Sequence, residues 1–440
     1  MLGTAAASRS AILKTIYYRG PIKRSDIAKQ LALTMPTITT NVNHMISSGL
    51  VKEEDKLDPS ANSLGRKARP VSIVAEARHF VGIEMRGFQR IISVQDFLGR
   101  TLYCKKDSTP HPSYEENLRL SCDLLYEALD ACGFTLDDIT GIGFCVPGVV
   151  NSAEGRLDTL PSYGWRDKAV RADVASMTGY SGPISVENNA CARAYGLRLL
   201  QKDLLMDVHN FTYFFISRGI ACPLFLDTGN VVGSVVGAGE VGHMIMQPDG
   251  LLCSCGNRGC LEAYSSDVAV IARCKEALQQ GKAPFLQQLC PDGELSMHDI
   301  IAAQSAGDED VHKIAQEAVY RIGIAVANVV NFASSRIMFI DGLLFGVQEN
   351  RDQLLNVIHT NLCNALHSDT EFRFVEPNDY SGASGAAALA IHNSLDYYTD
   401  QTLFENRRSG QIAGGLFPSS LTTQQATESG GTGGVPVLKE

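Results

Sequence analysis

Apolar residues in the first 50 positions recur with the period of a helix. One stripe of them ends at a Gly-Pro pair that stops the pattern: Ile12, Leu13, Ile16 and Tyr17. Ser25 then occupies an N-cap position ahead of a second helix over 26–31. Thr34, with Pro36 in the first turn, begins a third helix over 35–48. The sequence therefore predicts three helices at the head of the chain.

Two short helices joined by a tight turn, followed by an extended segment at 50–54, follow the order of a winged helix-turn-helix. In the third helix, Ile38, Val42 and Met45 are expected to pack inward. The opposite face carries small hydroxyl and amide side chains that suit base-edge and phosphate contacts in a DNA major groove: Thr37, Thr39, Thr40 and Asn43. The alternative is a three-helix packing module with a polar face.

A basic segment closes the head. The run 65–70 places three cations within four residues, beside a glycine and a proline: Arg66, Lys67 and Arg69. Such a segment is typical of a wing tip that reaches DNA phosphates or a minor groove. A basic linker without DNA contact is the alternative. On this pattern, residues 1–70 are predicted to form a winged helix-turn-helix DNA-binding domain.

Charge is distributed unevenly along the 440 residues. Behind the net charge of -10, residues 1–70 carry eleven Lys and Arg against five Asp and Glu, hence +6, and the remainder carries 27 against 43, hence -16. A basic head on an acidic body predicts that only the head meets an anionic polymer. No apolar run approaches the roughly 18 residues of a membrane helix, and the N-terminus lacks a signal-peptide pattern. We therefore expect a cytoplasmic protein without a membrane partner.

Three cysteines and one histidine fall within one short segment. Cys253, Cys255 and Cys260 have the spacing C-x-C-x4-C, and His243 lies ten residues ahead of the first. Three thiolates and one imidazole complete a tetrahedral shell without a water position, which predicts a structural Zn2+ rather than a catalytic one. Chance clustering among twelve cysteines is one alternative. A disulfide framework is disfavoured in a chain without a signal peptide.

Two carboxylates bracket this cluster. Glu240 lies three residues before His243, and Glu262 lies two residues after Cys260. A loop fixed by a metal would hold both carboxylates in place, and carboxylates accept hydrogen bonds from sugar hydroxyls. The pair predicts a polar ligand site, and two solvated surface residues are the alternative.

The segment 239–262 also carries a long motif. Its pattern, E-x-G-H followed by G-x-x-C-x-C-G-x-x-G-C-x-E, resembles the signature of the ROK family of repressors, open reading frames and kinases. The resemblance extends over about residues 8–395. It implies an α/β, two-lobed, actin-like sugar-kinase fold with zinc on the histidine and the cysteines. It also implies that Glu240, His243 and Glu262 contact a sugar.

The same resemblance sets the expected domain limits. A first actin-like lobe is predicted over 71–190, and a second lobe with the zinc loop over 191–400. Residues 401–440 are rich in Gly, Ser, Thr and Gln, which predicts a disordered tail. Small residues at 381–387 begin a helix. In the kinases of the family this segment borders the adenosine, and close packing of helix and sheet is the simpler interpretation here.

Two segments depart from the phosphate loops of the family's kinases. In place of D-x-G-G-T, this chain has Glu84 for the acid, Arg86 for the first glycine and Phe88 for the threonine. Arg218 replaces a glycine of the second phosphate loop. A guanidinium and a ring would crowd a triphosphate, which argues against ATP. Alternatively, the two arginines bind an anion such as the phosphate of a phosphosugar.

A third departure concerns the general base. The kinases have E-N-D-A, in which the aspartate takes the proton of the sugar hydroxyl, and Asn189 stands at that position here, after Asn188. A carboxamide is not basic at neutral pH, but it still offers one acceptor and two donors to a sugar. We therefore expect Asn188 and Asn189 to bind sugar, no residue to act as a catalytic base, and the chain not to be an enzyme.

Together these patterns predict a sugar-responsive transcriptional repressor of carbohydrate metabolism genes. A homodimer or higher homo-oligomer is expected, because a palindromic operator is bound by two symmetric heads. A sugar or phosphosugar between the lobes would bias their closure and thereby change the spacing of the heads. One alternative is an active ATP-dependent sugar kinase with an accessory DNA-binding head. Another is a body that docks a protein partner from sugar transport.

Overall fold

The computed structural model describes residues 4–54, 69–205, 208, 210–226, 237–291, 294–363 and 370–396. The predicted disordered tail over 401–440 lies outside these residues and stays a prediction. Among the described residues, no helix combines the length and the apolar character that crossing a membrane requires.

The head is a winged helix-turn-helix, as the sequence predicts. Its helices are α1 (Thr4–Arg19), α2 (Arg24–Leu31) and α3 (Met35–Ser47). Two strands pair antiparallel at the base of the wing: β1 (Val51–Glu53) and β2 (Val71–Ile73). The inward face predicted for α3 is confirmed, because Ile38, Val42 and Met45 are fully buried.

Helix capping in the head follows the sequence pattern only in part. The Thr34 hydroxyl accepts a hydrogen bond from Thr37 N, which confirms the predicted cap of α3. The cap predicted at Ser25 is wrong. Helix α2 begins at Arg24, two residues before the predicted start, and Lys23 occupies the N-cap position. The Ser25 hydroxyl lies 3.4 Å from Asp26 Oδ1 inside the helix.

The first lobe is built on a five-stranded sheet in the order β10-β6-β3-β4-β5. Strands β3, β4 and β5 are antiparallel neighbours, and β6 and β10 run parallel to β3. A three-stranded antiparallel sheet, β7-β8-β9, lies between β6 and α5 in the chain. The elements are β3 (His79–Arg86), β4 (Gln89–Asp96), β5 (Thr101–Asp107), α4 (Tyr114–Cys132), β6 (Ile139–Val146), β7 (Val149–Asn151), β8 (Arg156–Leu160), β9 (Trp165–Lys168), α5 (Val170–Thr178), β10 (Ile184–Asn188) and α6 (Asn189–Leu200).

The second lobe has its own sheet, in the order β12-β11-β14-β15, with β13 also paired to β11. Helices α9 to α13 bury a separate apolar core against this sheet. The elements are α7 (Lys202–Leu205), β11 (Phe211–Ile216), β12 (Ile220–Ala221), β13 (Leu224–Phe225), α8 (Glu262–Ser265), α9 (Asp267–Gln279), α10 (Pro284–Leu289), α11 (Met297–Ser305), α12 (Glu309–Ala333), β14 (Ile337–Asp341), α13 (Gln348–Asn361), β15 (Glu371–Phe374) and α14 (Ser381–Asp396).

The last helix, α14, returns to the first lobe. A Cβ on Gly82 of β3 would lie 1.9 Å from Ala383 O, and a Cβ on Gly143 of β6 would lie 1.8 Å from Ala386 O. The glycines thus permit direct contact of the helix backbone with the sheet, as the packing interpretation of 381–387 requires. The range 191–400 predicted for the second lobe therefore contains α14, which packs on the first-lobe sheet because the chain crosses back after β15, and also most of α6.

The head and α14 share one apolar core. Ile12 and Ile16 of α1 are buried together with Ile391 and Leu395 near the end of α14. The Ser10 hydroxyl donates to the Leu395 carbonyl oxygen at 2.5 Å. The winged helix-turn-helix head is therefore packed directly on the two-lobed body.

Candidate functional site

The four predicted metal ligands lie together. His243, Cys253, Cys255 and Cys260 each present one ligand atom, and all four atoms lie within 4.8 Å of one another. Cys253 Sγ is 3.7 Å from His243 Nδ1, and Cys255 Sγ is 3.8 Å from Cys260 Sγ. Ligands bound to zinc at about 2.0–2.3 Å stand about 3.3–3.8 Å apart in a tetrahedron. The donor set and its dimensions therefore fit one tetrahedral metal ion.

Glycines and backbone hydrogen bonds shape the loop that carries these ligands. Gly256 and Gly259 have φ of +93° and +79°, a region that L side chains rarely adopt. A Cβ on Gly259 would lie 1.8 Å from the Gln247 carbonyl oxygen. Cys253 N donates to Asn257 O at 2.8 Å and closes the turn between the cysteines. The local sequence thus directs the ligands to one point.

Glu262 connects the metal loop to the segment that follows β11. Its Oε1 accepts a hydrogen bond from Ser254 Oγ at 3.3 Å, and its Oε2 accepts one from Ile220 N at 3.2 Å. A Cβ on Gly219 would lie 3.0 Å from the same Oε2. A change in the loop that carries the four predicted metal ligands, residues 243–260 (the metal loop), would therefore move the Glu262 carboxylate.

Glu240 is half-buried directly ahead of the short 3-10 turn Val241–His243. Burial and, secondly, the negative charge of Glu262 raise the pKa of Glu240 to about 7. The structure thus brings the two predicted carboxylates close enough to repel each other. Such a pair suits a ligand that donates hydrogen bonds, as a sugar does.

The two predicted asparagines lie at the junction of β10 and α6. Asn188 and Glu240 line the same small cleft between the lobes, together with Gly148 and Pro223. The Asn188 amide also caps α6, because Oδ1 accepts from Ala190 N and Nδ2 donates to Gly148 O, both at 2.8 Å. Asn189 is half-buried and does not line this cleft. Asn188 and Glu240 therefore line one cleft, and Asn189 follows Asn188 in the chain without lining it.

Side chains of the protein itself contact one another in the region that corresponds to the kinase phosphate loops. The Phe88 ring contacts two guanidinium groups, with Arg86 Cζ at 5.8 Å and Arg218 Cζ at 5.0 Å from its centroid. Phe88 follows β3 of the first lobe, and Arg218 follows β11 of the second. The substituted residues of the two phosphate loops therefore contact the same ring, and this contact connects the two lobes.

Asp267 adds a carboxyl group to this region, and sequence reasoning missed it. Its side chain is buried at the start of α9, and Oδ1 has no hydrogen-bond partner among the described residues. Burial raises the pKa of Asp267 to about 7, although hydrogen bonding from Ser217 and the charge of Arg218 oppose the rise. An acidic residue in the first turn of a helix is common on helix electrostatics alone, so nothing in the sequence marked it.

A buried ion cluster lies next to these residues. Glu84 Oε1 accepts from Arg86 Nε at 2.9 Å, and both Glu84 oxygens accept from Arg193, at 2.9 and 3.2 Å. Burial raises the pKa of the Glu84 carboxyl, but the positive charges of Arg193 and Arg86 outweigh this effect and lower the pKa to about 2. The acid that replaces the kinase aspartate is thus already neutralised by the protein. Sequence reasoning missed Arg193, whose position one helical turn after Asn189 was the available signal.

The predicted DNA face lies on α3. Thr40 and Asn43 are exposed, and Thr37 and Thr39 are half-buried. Arg24 Nη2, which sequence reasoning did not single out, donates to Asn43 Oδ1 at 3.0 Å and orients this amide. These side chains form one polar surface opposite the buried face of α3.

Of the three wing cations that the sequence predicts to contact DNA, Arg69 lies within the described residues. The Arg69 side chain is 60% exposed, and its Nη1 is 4.0 Å from Glu53 Oε2. Arg66 and Lys67 lie outside the described residues, so their DNA contacts remain predictions.

A winged helix-turn-helix packed on a two-lobed sugar-kinase fold defines a transcription regulator with a kinase-like body. A model of the ROK family matches residues 80–393, and a model of the MarR family matches residues 7–58. The ROK match covers most of the chain, and the protein belongs to the ROK family.

Known proteins resemble the chain over nearly its whole length. The xylose repressor of Bacillus subtilis (strain 168) is 25% identical over 399 residues, covering 89% of this chain and 97% of the relative. The DNA-binding transcriptional dual regulator NagC of Escherichia coli (strain K12) is 25% identical over 409 residues, covering 90% and 95%. A crystal structure of a ROK family transcriptional regulator, a homologue of the E. coli MLC protein, superposes with a TM-score of 0.74 at 24% identity, covering 89% and 98%.

Proposed function

We propose that this protein is a sugar-responsive transcriptional repressor of carbohydrate metabolism genes. In this proposal the head binds operator DNA through Thr37, Thr39, Thr40, Asn43 and the wing cations. The protein acts as a homodimer, because two heads are needed for a palindromic site. A sugar or phosphosugar that binds between the lobes changes the affinity for the operator.

One observation carries the proposal: a helix-turn-helix head is packed on a kinase-like body in whose phosphate region Arg86 and Arg218 both contact the Phe88 ring. A triphosphate would have to displace these side chains and approach the buried carboxyl of Asp267. The side chains proposed to bind the sugar are different ones, because Asn188 and Glu240 line the cleft and Glu262 accepts hydrogen bonds from Ser254 Oγ and Ile220 N. Sugar binding without phosphoryl transfer is the function that this geometry supports best.

The metal site supports the same proposal. A Zn2+ ion held by His243, Cys253, Cys255 and Cys260 would fix the loop that carries Glu240 and Glu262. The imidazole of His243 presents Nδ1 to the cysteines. Its Nε2 is then available to a sugar hydroxyl, so one side chain can serve both predicted roles.

The first experiment is binding of the purified protein to the promoter DNA beside its own gene, titrated with sugars at fixed salt. D-xylose and N-acetylglucosamine are tested first, because they occur in the names of relatives, each free and as its phosphate ester. Release of DNA by one of them would support the proposal and identify the effector. Tight binding that no sugar alters would point instead to a protein partner from sugar transport.

The competing function is an active sugar kinase with an accessory DNA-binding head. The ROK family holds kinases as well as repressors, so a direct assay is needed. Incubation with Mg2+, ATP and the same sugars is expected to give no ADP above the level without sugar. Sugar-dependent turnover would contradict a body that only binds.

Replacing both Arg66 and Arg69 with alanine is expected to weaken binding to all DNA sequences. Each phosphate contact contributes about 0.9 to the slope of log K against log salt, so the slope should fall by about 2. Fluorescence anisotropy with promoter and scrambled DNA at several salt concentrations measures this. Arg166→Ala, on an exposed strand of the body, is the control. An unchanged slope would show that the wing does not touch phosphate.

The Glu262→Ala substitution is expected to weaken sugar binding at least about tenfold, because a charged acceptor of sugar hydroxyls is lost. Operator affinity without sugar should stay within about twofold, since the apolar core on which the head packs contains no residue of α8. Calorimetric titration with the effector measures the loss, and zinc analysis checks that the metal loop is intact. Glu276→Ala on the exposed face of α9 is the control. A normal sugar response would place the effector elsewhere.

A further inference from the structure

Helix α6 extends from the cleft to the DNA-binding head. Its N-cap, Asn188, lines the cleft together with Glu240. Near its other end, Arg198 Cζ lies 5.5 Å from the centroid of the Tyr18 ring in α1. One helix therefore contacts both the proposed sugar site and the head.

The middle of α6 contacts both lobes. Arg193 pairs with Glu84 of β3 through both terminal nitrogens, and its Cζ lies 4.5 Å from the ring centroid of Phe215 in β11. Strand β3 belongs to the first-lobe sheet and β11 to the second-lobe sheet. A change in the angle between the lobes would therefore act on α6 at this point.

The end of α6 meets the second lobe again. Arg198 Cζ lies 5.6 Å from the ring centroid of Phe225, which belongs to β13, the partner of β11. Phe225 also packs edge-on against Tyr195, at a centroid distance of 5.0 Å. A single guanidinium thus contacts one ring of the second lobe and one ring of the head, Tyr18.

Tyr18 is also held by α14. Its hydroxyl and His392 Nδ1 are 3.0 Å apart, within hydrogen-bonding distance. Helices α6 and α14 cross closely, since a Cβ on Gly196 would lie 3.0 Å from Gly385 Cα. Close-packed helices cannot shift independently, so the head rests on two helices that move as a pair.

We infer that Arg198 is the positioning residue that transmits lobe closure to the head, an inference that rests on the proposed function. When a bound sugar changes the lobe angle, Phe225 moves with its sheet. The guanidinium of Arg198 then stays in contact either with the Phe225 ring or with the Tyr18 ring. The orientation of α1 differs between these two cases. Contacts of this kind suit a switch, because each is weak enough to be exchanged by ligand binding.

The test measures how far sugar changes operator affinity in the wild type and in Arg198→Met. The probes are D-xylose and N-acetylglucosamine, free and as phosphate esters, with promoter DNA at fixed salt. Arg198→Met is expected to keep the operator affinity measured without sugar and to reduce the sugar-induced change about three- to fivefold. Arg198→Lys keeps the cation and should recover part of the change. Arg166→Met, the same substitution in β9, should behave as the wild type.

A double-mutant cycle separates this role from general weakening of the fold. If Tyr18 and Arg198 act on one route, Tyr18→Leu added to Arg198→Met should reduce the sugar effect no further. Additive losses, or an unchanged sugar effect in Arg198→Met at an unchanged melting temperature, would overturn the inference and leave the proposed function intact. If the wild type binds the promoter but no probe changes its affinity, there is no sugar response to transmit. Both the sugar response and its coupling to the head would then be wrong.

Discussion

The Cys255→Ser substitution is expected to reduce bound zinc from one ion per chain to well below one, and to lower the melting temperature by at least a few degrees. Cys255 supplies one of four ligand atoms that lie within 4.8 Å of one another. A hydroxyl is a poor substitute for a thiolate, and structural zinc in small peptides contributes about 10–16 kcal/mol to folding. Metal analysis and thermal unfolding, with and without a chelator, measure both effects.

Exposed cysteines elsewhere provide the matched control for this substitution. Cys104 and Cys363 are exposed and lie outside the cluster, so Cys104→Ser and Cys363→Ser should retain one zinc ion and the wild-type melting temperature. Loss of zinc should also weaken the sugar response, because Ser254 of the metal loop donates to Glu262. Full zinc content in Cys255→Ser would exclude this cysteine as a ligand.

The cluster of one histidine and three cysteines could be predicted because its members are local in sequence. His243 and the cysteines occupy one segment, and the glycines between them leave few ways to fold it. The turn at Gly256 and Gly259 then needs no information from the rest of the chain. The buried face of α3 could be predicted for the same reason, because helical periodicity is a local property.

Contacts between distant segments could not be predicted in this way. Sequence reasoning found that Arg86 and Phe88 crowd one phosphate loop and that Arg218 crowds another. It could not show that both guanidiniums contact the same ring, because that depends on how the lobes pack. Asp267 is the clearest case, since only burial distinguishes it from an ordinary residue in a first helical turn.

Some residues have two roles that sequence cannot separate. Asn188 is predicted as a sugar ligand, and the structure also uses both ends of its amide to cap α6 and hold Gly148. Asparagine suits both tasks, so its presence at a strand end did not show which one applied. Ser25 shows the opposite case, because this residue is suited to capping but lies inside α2, two positions after the actual N-cap Lys23.

The second large effect is expected from Glu84→Gln, which should lower the free energy of unfolding by about 3–5 kcal/mol near pH 7. The substitution keeps the shape of the side chain but removes the charge that neutralises Arg193 and Arg86. Arg193 has a side chain only 4% exposed, so its guanidinium would remain buried without the carboxylate that pairs with it. Denaturant unfolding of both proteins measures the difference. Glu76→Gln, at a side chain 79% exposed, should cost less than about 1 kcal/mol.

The pH dependence of this difference identifies its cause. The pKa of Glu84 falls from 4.5 to about 2 on folding, which corresponds to roughly 3 kcal/mol in favour of the charged form. A carboxyl with a lowered pKa stabilises the fold above its unfolded value and loses that contribution as the pH falls towards its folded value. The difference in the free energy of unfolding between the wild type and Glu84→Gln should therefore have its full size above about pH 4.5 and become smaller as the pH falls towards 2. A gap that stays constant over this range would mean that the substitution acts through packing, and that the Glu84 charge does not hold the two arginines.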